Sequence, residues 1–150
     1  MATTIVPQNL TVTISESYTL NGVDYGNSPS TTFTTNGQVS QRIMNIATGD
    51  GSETSVILFN TADDAGTVVK NNYKYFRITN LDDTNFLRLE VTSGDTFYVK
   101  IKAGESFLLM DNEIDAIASS TTFGAFADIT SINAFADTAA IDIEFVCVTT

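Results

Sequence analysis

The side chains that could do chemistry here are mostly carboxylates, and they gather in three short stretches: "TGDGSET" (48–54), "NLDDTN" (80–85) and "MDNEIDA" (110–116). Clustered carboxylate and amide oxygens are the donors that calcium prefers. The first stretch starts like an EF-hand loop at Asp50, but Ser55 stands where that loop needs glycine and Thr61 where it needs the closing glutamate. The third puts Asp111, Glu113 and Asp115 on one parity of an extended chain. Three like charges on one strand face repel unless a cation or water screens them. Water suffices, so no metal residue is assigned, and calcium at these three acids stays an open alternative. The second stretch has a plainer use. Asp and Asn side chains accept hydrogen bonds from backbone amides two residues on and so build a turn themselves. Asp82 and Asp83, flanked by Asn80 and Asn85, are expected to form a corner.

Other chemistries are poorly supplied. Paired carboxylates hydrolyse glycosides only when both face one sugar in a cleft, and most of these acids fall in turns. "AGESFL" (103–108) has the G-x-S start of a nucleophile elbow, but Leu108 replaces the second glycine and no helical pattern follows. It reads as a hairpin corner. The chain has no histidine, which removes the usual general base and every Ser-His-Asp or Cys-His arrangement. A single cysteine, Cys147, allows neither an intrachain disulfide nor a thiolate zinc cage. No glycine-rich phosphate loop is present. The expectation is a non-enzyme, with no catalytic, cofactor-binding or metal residue.

The elements that would hold these residues are strands. Period-two alternation dominates. In "NLTVTISESYTL" (9–20), Leu10, Val12, Ile14, Tyr18 and Leu20 share one parity, and Thr and Ser take the other. Asn21-Gly22, Gly26 and Pro29 mark turns, and Asn36-Gly37 favours a two-residue hairpin before a strand from Val39 to about Thr48. "TSVILFN" (54–60) reads as a buried strand. Further strands are expected over Tyr73–Thr79, Phe86–Thr92, Phe97–Lys102 and Ser106–Met110. The last, "AIDIEFVCV" (140–148), buries Ile141, Ile143, Phe145 and Cys147 and leaves Asp142 and Glu144 on the opposite face. Eight to ten short strands without sustained helical periodicity predict an all-β fold: an antiparallel β-sandwich, specifically a jelly roll, with an up-and-down barrel as the competitor. One domain over 1–150 is expected from the length, with 1–9 as an extended N-terminal arm.

Seven basic against eighteen acidic residues give a net charge of −11, which repels phosphate backbones and argues against a nucleic-acid partner. No apolar run is long enough for a membrane helix, and "MATTIVPQNL" lacks the basic and apolar regions of a signal peptide. Folding in a cytoplasm is the expectation.

Contact surfaces take the remaining weight. Tyr18, Tyr25, Tyr73, Tyr75 and Tyr98 could form an aromatic sugar platform, although tyrosines at strand parity commonly serve the core or a sheet face. The segment Thr121–Ala136 carries Phe123, Phe126, Ile129, Ile132 and Phe135 with only Asp128 and Asp137 as nearby charges. It has the composition of a subunit interface, and equally that of a buried crossover. Thr121–Ala136 and the arm Met1–Asn9 are the two candidate contact segments.

"NLTVTISESYTLNGVDYG", "RITNLDDTNFLRLEV", "KAGESFLLM" and "TAAIDIEFV" together resemble the small virion structural proteins of marine tailed bacteriophages, of the cyanophage and pelagiphage type. The resemblance spans most of the chain and is weakest over Phe123–Ala136. It implies a β-sandwich or jelly-roll subunit on the capsid exterior, a decoration (cement) protein that forms a homotrimer, binds the major capsid protein and is made in the bacterial host cytoplasm. It transfers no catalytic or cofactor residue. The alternative is a glycan- or receptor-binding module of a tail fibre or tailspike.

Overall fold

The computed structural model describes residues 9–34, 37–49, 53–62, 64, 66–117 and 122–150. An N-terminal ribbon comes first, built from β1 (Asn9–Thr13), β2 (Thr19–Leu20), β3 (Val23–Asp24) and β4 (Ser30–Thr34). The body follows with β5 (Val39–Ile46), β6 (Thr54–Asn60), β7 (Val68–Val69), β8 (Tyr73–Asn80), β9 (Leu87–Ser93), β10 (Asp95–Ile101) and β11 (Ser106–Leu109). A short pair, β12 (Glu113–Ile114) and β13 (Ala127–Asp128), precedes β14 (Ser131–Ala136) and β15 (Ile141–Thr149). Among the described residues the sole helical element is a single 3-10 turn, Lys70–Asn72, and no helix is long and apolar enough to cross a membrane.

The body is an all-β sandwich. One sheet runs β10-β9-β14-β6-β7 and the other β11-β8-β15-β5, all antiparallel except the short β6–β7 pair. Alternation explains why these residues form strands with one face inward. Along β9, Leu87, Leu89, Val91 and Ser93 are buried while Arg88, Glu90 and Thr92 are half-exposed. Along β15, Ile141, Ile143, Phe145 and Cys147 point into the core and Asp142 and Glu144 point out, as the sequence predicts. The core joins these two sets with Ile46, Phe76, Ile78, Ile101, Ile132 and Ala134. Tyr73 meets Phe59 across the sheets edge-to-face, with ring centroids 5.8 Å apart. In β6 the register slips opposite Ile132 and Asn133, so that consecutive Val56 and Ile57 are both buried while Leu58 faces out.

Eight strands carry the sandwich. Taken in chain order as β5, β6, β8, β9, β10, β11, β14 and β15, they pair first with last, second with seventh, third with sixth and fourth with fifth. β14–β9 and β15–β8 then stitch these pairs into the two sheets.

Two expectations need correction. The stretch 9–20 is not a sandwich strand. It pairs with 23–34 as a separate ribbon that folds back at Asn21-Gly22, both at positive φ (52° and 81°). The corner expected at Asp82 forms, and it carries the chain from β8 in one sheet to β9 in the other. "AGES" is likewise a corner but not a hairpin, because β10 and β11 lie in different sheets. The Asn36-Gly37 turn and most of the arm Met1–Asn9 lie outside the described residues.

Candidate functional site

The acidic corner is held by its own carboxylate. Asp82 Oδ1 accepts the backbone N–H groups of Asn85 at 2.6 Å and Thr84 at 2.8 Å, and the Asn85 side-chain amide at 3.2 Å. Behind it, Asn80 is fully buried. Its amide donates to the carbonyls of Asn85 at 2.9 Å and Ile101 at 3.4 Å, and its Oδ1 accepts the Asp82 N–H at 3.0 Å. The Asn80 backbone closes the second corner, its N–H donating to Glu105 and its carbonyl accepting from Gly104. Two inter-sheet crossings are therefore tied by one asparagine. Thr84 Oγ1 donates to Asp83 Oδ1 at 2.8 Å, and Thr138 Oγ1 donates to Asn85 Oδ1 at 2.7 Å.

The amides of Asn85 and Thr84 hold the Asp82 carboxyl below the usual aspartate range. A carboxylate whose folded pKa is lowered stabilises the fold above its ordinary value, and that contribution is lost as pH falls through the lowered one. Asp82→Asn, which keeps an acceptor but removes the charge, is expected to melt below the wild type at pH 7. The gap should close as pH falls below about 4, as read by thermal melts across pH.

The three acids at 111–115 do not share a strand face. β12 covers only Glu113–Ile114. Asp111 Oδ1 accepts the N–H groups of Asn112 at 2.7 Å and Glu113 at 3.4 Å. Among the described residues no three acidic or sulfur side chains come close enough to hold a metal ion. Asp50 of the first acidic stretch lies outside the described residues. Nearby charges serve structure: Lys70 pairs with Asp128 at 2.9 Å, and Lys74 Nζ donates to Asn112 Oδ1 at 3.1 Å. Ser106 shares a 2.8 Å hydroxyl contact with Thr79. Burial pushes the Cys147 thiol up to about 12, so it stays protonated.

The tyrosines separate by environment. Tyr73 and Tyr75 are buried, and burial pushes the Tyr73 hydroxyl far above its ordinary pKa. Tyr98 is exposed on the five-stranded sheet, its pKa raised by a hydrogen bond with Glu90. Tyr18 and Tyr25 are exposed on the ribbon and stacked, with centroids 5.6 Å apart and planes 13° from parallel.

The segment Thr121–Ala136 splits in two, with Thr121 outside the described residues. Ile129, Ile132, Phe135 and Ala136 are buried, and β14 is the middle strand of its sheet. That half is the ordinary buried crossing. Phe123 and Phe126, by contrast, are 66% and 74% exposed. A cluster that composition does not announce lies on the five-stranded sheet. The Arg88 guanidinium stacks 4.0 Å from the Phe135 ring, and Lys100 Nζ lies 3.6 Å from the Phe86 ring, beside a cavity of about 230 Å³. Phe135 lies directly opposite Arg88 in the register, a pairing that only the strand order reveals. Both aromatic rings there already carry a cation.

The ribbon exposes a run of apolar side chains along its length. Its register sets Leu10 opposite Phe33 and Val12 opposite Thr31, then Ile14 beside Pro29, Tyr18 beside Tyr25 and Leu20 opposite Val23. These residues share one face; Thr11–Thr32 and Ser15–Ser28 hydroxyl pairs mark the other. At its base Phe33 meets Tyr75, with centroids 6.5 Å apart, on the outside of the four-stranded sheet. Beyond the base, every residue from Thr13 to Thr32 is exposed.

Chemically, these surfaces can bury apolar area against another molecule. No protein-family model, curated protein or solved structure matches the chain.

Proposed function

We propose that the chain is a non-enzymatic virion structural subunit, a capsid decoration (cement) protein. In this reading it assembles as a homotrimer and braces the outer shell through contacts with the major capsid protein. The observation that carries the reading is the large apolar surface left uncovered outside a well-packed core: the ribbon face, and Phe123 with Phe126. Patches of this extent on soluble chains mark contact sites. The sequence resemblance to phage virion proteins points the same way. The first-with-last strand pairing is the pairing that a jelly roll, an architecture used by viral capsid subunits, would need, and it supports this reading. The acid excess suits a particle exterior that resists non-specific association.

A second reading, a glycan- or receptor-binding module of a tail fibre or tailspike, is favoured by the exposed Tyr18–Tyr25 stack, since jelly rolls also serve lectins. Light scattering at high protein concentration tests the first reading. The expected mass is three times the 16.2 kDa of the chain. A strict monomer that binds a glycan array would favour the second reading and overturn the first.

A further inference from the structure

We infer that the ribbon is the element exchanged between copies: its apolar face packs on the outside of the four-stranded sheet of a second copy of this chain. The inference rests on the assembly proposed above and names its contact.

The ribbon is one amphipathic unit whose two halves meet different surroundings. At the base, Leu10, Val12 and Phe33 are half-buried, and Tyr75, which Phe33 meets, and its register neighbour Val148 are buried although both lie outside the core cluster. This face of the sheet therefore already accepts ribbon packing. Farther out, the same ribbon face continues through Ile14, Tyr18, Leu20, Val23 and Tyr25, which are 49–57% exposed, with the polar pair Glu16–Asn27 interrupting it between Ile14 and Tyr18. Two strands without a covering layer are marginal in water, so a ribbon of this length needs a second surface.

The receiving surface lies beside the base. Val39 stands opposite Val148, and Val148 opposite Tyr75, so these three form one row across the sheet. Past that row the sheet exposes Ile43 and Leu108. Val39 and Ile43, at 68% and 71%, are more exposed than any residue of the ribbon's apolar set. The charges between them are matched: Arg77 Nη2 meets Glu144 at 2.9 Å, and Gln41 donates to the same carboxylate at 2.7 Å. Hydrogen bonds from Gln41 first and then Arg77 hold the Glu144 pKa below the usual carboxylate range.

Charge and unguarded strand edges favour a second copy as the occupant. The molecule carries −11, yet residues 9–34 contain no Lys or Arg and only Glu16 and Asp24 as acids. The ribbon can thus approach a like-charged neighbour at small Coulomb cost. Neither β1 nor β4 carries a charged side chain to guard its free edge, which natural proteins normally provide on strands that must stay unpaired. The five exposed side chains offer roughly 300–400 Å². A ring in which every copy gives one ribbon and receives one has two such contacts per copy. With both partners' surfaces counted, each contact buries about 700 Å², below the standard size for a lone interface, so the ring holds each copy by two small contacts and not by one large one.

The test is the solution mass of the full chain and of three variants by sedimentation velocity. Leu20→Asp with Val23→Asp charges the apolar face at the ribbon tip, far from the core, and Ile43→Glu charges the receiving face. Thr19→Asp charges the opposite ribbon face as a control. Unchanged melting curves would establish that the variants fold. The wild type and Thr19→Asp are expected to be oligomeric, with association weakened roughly 30-fold or more in the other two. An oligomer unaffected by the tip or Ile43 changes would overturn this inference and leave the assembly reading standing. Dissociation by Thr19→Asp as well would also overturn it. A monomeric wild type would overturn both.

Discussion

Phe76→Ala is expected to lower the unfolding free energy by about 3–5 kcal/mol, the usual cost of deleting a buried aromatic ring. Phe76 is fully buried, and its ring lies 6.3 Å from that of Phe145, its diagonal neighbour on β15. The truncation takes away both the transfer free energy of the ring and its contacts, and β-strands on two sides restrict how far the site can collapse. A sandwich of this size has a total stability of only about 5–15 kcal/mol, so the variant should unfold at much lower urea. The midpoint should fall while the slope of free energy against urea stays constant. A loss below about 1 kcal/mol would mean that Phe76 is not at the packing centre of the core.

The second large effect is expected at Asn80→Leu, which keeps the branching and heavy-atom count of the side chain and replaces its polar atoms with methyl groups. Its cost comes from hydrogen bonds. The asparagine side chain serves the Asp82 N–H and the Asn85 and Ile101 carbonyls, and leucine serves none of them. Each buried backbone group left unpaired costs about 1–3 kcal/mol. Ile101 is 4% exposed, so its carbonyl feels that cost most, while the corner groups can turn toward water. A net loss of about 2–4 kcal/mol follows. Asn80→Asp separates the terms: it keeps the acceptor for Asp82 N–H but removes the donor and buries a charge. It should be at least as damaging at neutral pH, and partly relieved in acid where a protonated carboxyl can donate again. Urea melts of both variants at two pH values check this.

Much of the sandwich was legible because its strands bury one face. Leu87, Leu89 and Val91, and Ile141, Ile143 and Phe145, announce that face at period two. The ribbon was misread for the same reason. Leu10, Val12, Ile14, Tyr18 and Leu20 alternate as a half-buried strand does, and alternation says that a face is apolar without saying what covers it. The acidic corner was legible as a turn, since Asp82 and Asn85 have the side chains that cap their own amides. Its passage between sheets was not, because strand partners depend on contacts distant in sequence. Thr121–Ala136 resisted division for a related reason: Phe126 and Phe135 sit in closely similar "AFAD" contexts, and only the placement of β14 between β9 and β6 buries one of them. Arg88 on Phe135 needed the register itself.

The first-with-last pairing also sets a timing problem for biosynthesis. β5 lies at a sheet edge and its one strand partner is β15, with Asn45 and Asp142 facing each other across 97 residues of chain. A ribosome adding about 5–20 residues per second leaves β5 waiting roughly 5–20 s for that partner, far beyond the microseconds in which a chain collapses. Nascent molecules therefore spend seconds with Val39 and Ile43 unpaired on a strand edge, and crowded synthesis exposes those edges to one another before any one molecule can close.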